Sequence, residues 1–151
     1  MRIAYHIPMA LLSDQDRQVV KDHLSGLAHD VRLVLFTQTI GGPETGAIAK
    51  QILDELSELS ERLTVEEANF VLERDRAASY GVDKIPAIVV LRDGEDTRIR
   101  FYGAPAGYEF MSLVEAVILA GGDDSGLLAE SRELLAKAEG PINIEVFVTP
   151  T

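Results

Sequence analysis

The stretch KIPAIVVLRDGEDTRIRFYG, residues 84–103, carries the clearest fold signal in the chain. Two runs rich in β-branched and aromatic residues flank Asp93 and Gly94, which are typical turn residues, so the runs are predicted to pair as antiparallel strands. The first run follows Ile85-Pro86, and an X-Pro bond adopts the cis form at a cost of only about 0.5–1 kcal/mol. We therefore expect a hairpin whose first strand is headed by a proline.

The segments before this hairpin alternate between helical and strand patterns. VRLVLF, residues 31–36, is almost continuously apolar, as expected of a strand buried on both faces of a mainly parallel sheet. Ser13 stands three residues before Asp16, in the spacing of a capping box at a helix start. Periodicity predicts helices over about 13–29, 43–63, 72–80, 108–120 and 127–138, and further strands over 63–70 and 142–148.

This order of elements predicts an α/β protein with a thioredoxin-like fold. We expect a mixed four-stranded sheet over residues 31–102 with helices on both faces, plus a C-terminal helix and strand. The Ile85-Pro86 bond should be cis and lie beside the loop 41–46. The flexible, acidic stretch GGDDSG marks a domain boundary, which gives a domain over 1–120, a linker and helix over 121–141, and a strand over 142–151.

Composition restricts the classes of function. The 151 residues include 25 acidic and 14 basic side chains, and the formal net charge of -11 disfavours nucleic acid and anionic lipid as partners. The cysteine count is zero, which excludes a disulfide, a thiolate metal site and a cysteine nucleophile within this chain. No apolar run approaches the roughly 20 residues needed to span a bilayer, and no signal peptide is recognisable, so we expect a cytoplasmic protein with no membrane partner.

Three segments together resemble the N-terminal unit of the tandem protein disulfide oxidoreductases, which are glutaredoxin-like proteins made of two thioredoxin folds. The segments are DELSELSERL at 54–63, YGVDKIPAIVV at 80–90 and IRFYGAPAGYEF at 99–110. The N-terminal domain of the alkyl hydroperoxide reductase flavoprotein subunit looks like a more distant relative. The resemblance covers about residues 12–120, and residues 127–148 look similar to the interunit helix and the first strand of a second unit.

The chain departs from that family at the redox site. Active first units carry a Cys-x-x-Cys pair where the first strand meets its helix, and the resemblance aligns that pair with Pro43, Glu44, Thr45 and Gly46. No thiol replaces it. The family's second unit would begin its Cys-Pro-Tyr-Cys directly after FVTPT at 147–151.

Two segments are candidates for residual binding. Gly42 to Gly46 could cradle an anion at a helix N-terminus, contact a peptide, or form an ordinary strand-to-helix turn. The resemblance implies that Ile85 and Pro86 would pair with an extended peptide, although a cis-proline also fixes the loop in inactive thioredoxin folds. The aromatic residues Tyr102, Tyr108 and Phe110 are expected to pack at the hairpin and the last helix, with an interdomain contact as the alternative.

No metal or cofactor is expected. His6, His23 and His29 are scattered, and the acidic residues of 54–61 fit the solvated face of a helix. The first hypothesis is a redox-inactive thioredoxin-fold unit that has a structural or partner-docking role beside a second thioredoxin-like unit or a redox partner. The alternatives are a stand-alone domain that binds peptides or small anions, and a disulfide reductase, which lacks the required thiolate. The strand-like tail, residues 142–148, is expected either to dock on its own domain or to pair between two molecules as a weak homodimer.

Overall fold

The structure, a computed structural model, describes residues 11–38 and 40–147. The helices in these ranges are α1 (Asp14–Leu24), α2 (Thr45–Ser57), α3 (Arg74–Ser79), α4 (Tyr108–Gly121) and α5 (Ala129–Ala136), and the strands are β1 (Val31–Thr37), β2 (Leu63–Asn69), β3 (Ala87–Arg92) and β4 (Glu95–Tyr102). None of the helices in the described ranges is long and apolar enough to cross a membrane.

The described strands form one mixed sheet in the order β2-β1-β3-β4. β1 runs parallel to β2 and antiparallel to β3, and β3 pairs with β4 through the turn at Asp93 and Gly94. The hairpin predicted from residues 84–103 is therefore confirmed. β1 is a central strand, as its continuous apolar run indicates, and six of its seven residues are buried.

Each face of the sheet carries its own hydrophobic core because alternate side chains of a strand point to opposite faces. Leu33, Leu35, Ile88 and Val90 pack with α1, α2 and α4 on one face. Val34, Phe36, Val89 and Leu91 pack with Ala77 of α3 and with Val82 on the other. Helices thus cover both faces of the sheet, as expected. On the second face the helix is α3, which has only six residues.

Helix α1 begins where the sequence predicts, but it ends several residues before the predicted end near residue 29. Ser13 is its N-cap, and the Ser13 hydroxyl accepts a hydrogen bond from the Asp16 amide at 3.1 Å. The helix ends at Leu24 rather than near residue 29, because Ser25 and Gly26 form a turn that leads into β1. The helix that follows β1 begins at Thr45, two residues after the proline that we expected at its first position.

The prediction of a strand over 142–148 is wrong for residues 142–147, the part of this range that the structure describes. Residues 141–147 have no regular secondary structure, and Ile142, Ile144, Val146 and Phe147 are exposed. A strand needs a hydrogen-bonded neighbour, and no described strand of this chain pairs with the segment. The expected end at residue 148, and the following residues to 151, lie outside the described residues.

Candidate functional site

The two predicted binding segments leave the sheet at the same edge. Gln38 and residues 40–44 follow β1, and Ile85-Pro86 precedes β3. Phe36 of β1 is the register partner of Ala87 of β3, so the end of one strand meets the start of the other. The peptide bond between Ile85 and Pro86 is cis, the configuration expected from the sequence.

The loop after β1 is a tight turn closed by glycine. Gly41 has a φ of 74°, a conformation that side chains other than glycine rarely adopt. A Cβ atom on Gly42 would lie 2.0 Å from the carbonyl oxygen of Gln38, and that position is therefore restricted to glycine. The side-chain amide of Gln38 donates to the Ile40 carbonyl at 2.7 Å, which fixes the start of the turn.

The first turn of α2 has no room for a side chain at residue 46. A Cβ atom on Gly46 would lie 2.5 Å from the Oγ1 atom of Thr37, and Thr37 itself is buried at the end of β1. The helix and the strand can approach this closely because residue 46 has no side chain. Any larger residue at position 46 would have to displace the Thr37 hydroxyl.

The N-terminus of α2 is a poor anion site. The amides of Gly46 and Ala47 already donate to the carbonyls of Pro43 and Glu44, at 2.9 and 3.1 Å. Glu44 is the N-cap residue, its side chain makes no capping hydrogen bond, and it is exposed. A carboxylate at this position repels other anions, and the two bonded amides are not available to a phosphate or carboxylate ligand.

The proline loop is anchored to the hairpin. Pro86 is buried, and its carbonyl accepts a hydrogen bond from the Gly103 amide at 2.9 Å. Ile85 is half-buried and packs against the core on the α3 side of the sheet. The ammonium group of Lys84 lies 5.0 Å from the centre of the Tyr102 ring, a cation–π contact between this loop and the end of β4.

Exposed apolar side chains gather at the same edge of the sheet. The loops after β1, β2 and β4 all leave there, because β1 and β2 are parallel and the two hairpin strands alternate in direction. These loops and the adjoining element ends carry large exposed hydrophobic side chains, which we call the loop-edge surface: Ile40, Val71, Leu72, Tyr102 and Tyr108. Tyr108 is 85% exposed and Leu72 is 82% exposed.

The sequence analysis missed Ile40, Val71 and Leu72. Ile40 and Val71 lie between predicted elements, where a large apolar side chain has no core to enter, and Leu72 lies at the start of a predicted helix. The aromatic residues were predicted in part: Phe110 packs against the main core, whereas Tyr108 does not pack as expected. Large apolar side chains grouped on a surface mark an interaction site, in contrast to single exposed ones.

An apolar groove adjoins this surface. It has a volume of about 270 Å³ and lies between α2 and the start of α4, lined among others by Ile48, Ile52, Pro105 and Phe110. Glu55 sits at its rim, where its carboxylate accepts hydrogen bonds from the amides of Leu11 and Leu12. Burial is the largest single effect and raises the pKa of Glu55, but these bonds, together with Gln51 and Arg17, outweigh it and lower the pKa below its ordinary value. The groove adds apolar area between α2 and the start of α4.

Together these features define the protein class. A mixed sheet in the order β2-β1-β3-β4, a cis-proline heading β3 and helices on both faces form a thioredoxin-like fold. No cysteine occurs anywhere in the sequence, so the strand-to-helix junction carries no redox dithiol. The sequence thus supplies no thiol nucleophile at this junction.

Curated proteins that are similar to this chain in sequence include subunits of an alkyl hydroperoxide reductase. The chain is 30% identical over 118 residues to the alkyl hydroperoxide reductase AhpF of Staphylococcus epidermidis, and 29% identical to that of Staphylococcus aureus. Each match covers 78% of this chain and 21% of the relative, so the chain spans about a fifth of the length of these curated relatives. No protein-family model matches the chain.

Solved structures agree with this similarity. The N-terminal domain of the alkyl hydroperoxide reductase AhpF from Enterococcus faecalis superposes with a TM-score of 0.75 at 28% identity, covering 81% of this chain and 58% of that one. A protein disulfide oxidoreductase from Aeropyrum pernix gives a TM-score of 0.72 at 24% identity, with 85% of this chain and 56% of that one covered, and this match shows the fold alone. The predicted resemblances, and the predicted thioredoxin-like fold with a mixed four-stranded sheet, are thus confirmed.

Proposed function

We propose that this chain is a redox-inactive thioredoxin-fold unit of a protein disulfide oxidoreductase-like protein, with a structural or partner-docking role in thiol-disulfide redox homeostasis. The observation that carries the proposal is the sequence Pro43-Glu44-Thr45-Gly46 at the junction of β1 and α2, in a chain without cysteine. Thiol–disulfide exchange proceeds by attack of a thiolate, and this chain cannot supply one.

The contact between Gly46 and Thr37 supports the same conclusion. The family resemblance, counted back from DELSELSERL at 54–63 with one extra residue in the loop, would put the second cysteine of the dithiol at residue 46. Here the Thr37 hydroxyl occupies the space that a Cβ atom at residue 46 would need. The junction is therefore packed for a residue without a side chain, and a dithiol would not fit without rearrangement.

The loop-edge surface supports partner docking in place of catalysis. Its apolar side chains are exposed on the side of the sheet where Ile85, Pro86 and the loop 42–46 also lie, and burial of apolar surface is the main driving force of association. The occupant we propose is a second thioredoxin-like unit or a redox partner protein. Of the alternatives, binding of an extended peptide remains compatible with this apolar edge, whereas anion binding is disfavoured by Glu44 and by the bonded amides.

The tail is the proposed connection to a second unit. Residues 121–141 would serve as linker and interunit helix, and residues 142–151 would become a strand once a second unit, or a second copy of this chain, supplies a neighbour. The exposed apolar side chains of 142–147 support this proposal. We place the protein in the cytoplasm, which cell fractionation would test.

Redox inactivity is tested directly with the chain as it is. In the insulin turbidity assay with dithiothreitol, the protein should not raise the rate above that of buffer, and it should not draw electrons from NADPH through thioredoxin reductase. Any protein-dependent rate in either assay would overturn the proposal.

A restored dithiol tests the position of the redox site. The variant Pro43→Cys, Gly46→Cys should form its intramolecular disulfide more readily in a Thr37→Ala background, which removes the hydroxyl in conflict with residue 46. The disulfide would be quantified by thiol labelling and mass spectrometry after mild oxidation. Two free thiols persisting in both backgrounds would show that residues 43 and 46 do not occupy the dithiol position.

Docking of an extended peptide, the alternative occupant of the loop-edge surface, is tested with a defined unfolded chain. Reduced, carboxymethylated α-lactalbumin presents extended segments, and its binding would be followed by fluorescence anisotropy. The double variant Leu72→Ser, Tyr108→Ser should lose binding, whereas Leu119→Ser, an exposed leucine of α4, should retain it. Equal binding by both variants would refute docking at the loop edge, and phosphate-induced shifts of the amide resonances of 42–46 would favour the anion alternative.

Self-association through the tail is tested separately. All buried hydrophobic residues in the described ranges lie between Val20 and Ala120, so a version that ends at Gly122 retains the complete core. Sedimentation should show a weak dimer for the 151-residue chain and a monomer for the shortened version. Two monomers would leave a second thioredoxin-like unit as the proposed neighbour of the tail.

A further inference from the structure

The end of α4 is fastened to the start of β1. The carbonyl of Gly121, the last residue of α4, accepts hydrogen bonds from the amides of Ala28 and His29 at 2.8 and 3.0 Å. A Cβ atom on Gly121 would lie 2.6 Å from Leu27, so the helix end approaches this loop as closely as glycine permits. Asp123, the second residue after the helix, therefore emerges beside His29.

The imidazole of His29 bridges two carboxylates from distant parts of the chain. Its Nδ1 atom lies 2.7 Å from Asp93 in the hairpin turn, and its Nε2 atom lies 2.7 Å from Asp123 in the linker. A carboxylate can only accept hydrogen bonds, so both ring nitrogens must carry protons for both bonds to form. The geometry is that of the imidazolium cation.

The other charged groups around this bridge come from the neighbouring elements. Arg92, at the end of β3, lies 3.3 Å from the same Asp123 oxygen that His29 contacts. The second oxygen of Asp93 accepts from the Asp30 amide at 3.1 Å, and the Asp30 carboxylate pairs with Arg62 at 2.9 Å. Asp123 is thus held by one permanent cation and one titratable cation.

Beyond Asp123 the linker and α5 bond mainly to each other. Arg132 of α5 pairs with Asp124 and donates to the Leu127 carbonyl. The structure describes every residue of α5, and none of them is buried. Because α5 adds nothing to the core, its direction relative to the domain depends on how the chain leaves the junction at Asp123.

We propose that protonated His29 is a pH-dependent clamp that fixes the direction in which the linker and α5 leave the domain. When His29 is protonated, Asp123 is bonded to both His29 and Arg92. When the ring loses a proton it keeps one N–H, so one of its two carboxylate bonds is lost and the junction loosens. This inference goes beyond the proposed function and does not depend on docking at the loop edge.

The direction of the pH response follows from the pKa of His29. The hydrogen bonds to Asp123 and then Asp93 raise this pKa above its ordinary value of 6.5, against smaller opposing effects of burial and Arg92. A raised pKa means that the clamp is complete below 6.5 and is lost as the pH rises through the raised value.

The test measures the position of α5 directly. The chain has no cysteine, so Ala78→Cys on α3 and Glu133→Cys on α5 provide two unique positions for spin labels, both exposed. Electron–electron distance measurements would be made at about pH 5 and about pH 9, on either side of the histidine range. We expect a narrow distance distribution at the lower pH and a broader one at the higher pH.

Two variants and one control make the result decisive. His29→Gln and Asp123→Asn should both give the broad distribution at both pH values, and His23→Gln, at the other described histidine, should respond as the unchanged chain does. An NMR titration should show that Asp123→Asn lowers the pKa of His29. A distribution independent of pH, or a pH response that persists in both clamp variants, would overturn the proposal.

Discussion

The loops at the two opposite ends of the strands, which form two edges of the sheet, differ in chemistry. The loop edge, where β1 ends and β3 begins, exposes the apolar side chains of the loop-edge surface around a tight glycine turn. The opposite edge, formed by the loops 25–30 and 58–62 and the turn at 93–94, contains none of the exposed large hydrophobic residues. It carries instead the charged network around His29.

This difference assigns different physical tasks to the two edges. Exposed apolar surface costs free energy in water and is stabilised when a partner covers it. Exposed ion pairs contribute little to stability, and those that contain a histidine respond to pH. The loop edge is therefore suited to binding another molecule, and the charged edge is suited to setting the direction of the chain that leaves it.

The largest contrast should come from one glycine on each edge. Gly42→Ala places a Cβ atom against the Gln38 carbonyl and should lower the free energy of unfolding by about 1–3 kcal/mol. Gly26→Ala, in the loop after α1, meets nothing within 4 Å and should change it by less than about 0.5 kcal/mol. Urea denaturation of both variants measures the difference, and equal values would show that the turn at the loop edge relaxes freely.

The next effect is a coupling between two positions of the loop edge. Gly46→Ala should destabilise the unchanged chain and should be neutral or stabilising in a Thr37→Ala background, where alanine is the better helix residue. The expected coupling free energy is about 0.5–3 kcal/mol. A double-mutant cycle in urea provides the value, and additive effects would contradict the steric conflict.

The charged edge should show its contribution at acid pH. The hydrogen bonds from His29 and then from the Asp30 amide hold the pKa of Asp93 below its ordinary value of 3.8. A lowered pKa gives stability that is complete above 3.8 and is lost as the pH falls through the lowered value. The unchanged chain should therefore lose stability relative to Asp93→Asn in that window, and the loss should shrink in a His29→Gln background. Thermal melts from pH 5 downward would test this, and parallel curves would refute it.

The smallest effect on stability should come from the loop-edge surface itself. Leu72→Ser and Tyr108→Ser remove exposed side chains that contact no core, so each should change the free energy of unfolding by less than about 0.5 kcal/mol. Both should elute earlier from a hydrophobic interaction column. A large loss of stability would mean that these side chains pack within the chain, and would remove the basis for docking.

Most of the fold could be predicted from local patterns. The continuous apolar run of β1, the hairpin of 84–103 and the Ser13 cap each depend on residues close in sequence, and each forms as expected. The end of α1 was misjudged because Leu27 is buried in the core but lies in the turn after the helix. Periodicity alone does not distinguish a helical core residue from a core residue in an adjoining loop.

The important contacts of the site could not be predicted, because they join distant segments. The conflict at Gly46 involves Thr37 across a loop, and the bridge at His29 joins residues 64 and 94 positions away. The sequence showed His29 only as one scattered histidine. The tail was predicted as a strand from composition, but pairing needs a neighbour, which no pattern within the segment can supply.

The packing of Gly46 against Thr37 also has an evolutionary consequence. With a Cβ atom at position 46 only 2.5 Å from the Thr37 hydroxyl, a cysteine there is disfavoured as long as position 37 keeps its side chain. A dithiol at positions 43 and 46 would therefore involve a change at position 37 as well as two cysteines, so three substitutions are coupled where two would otherwise suffice.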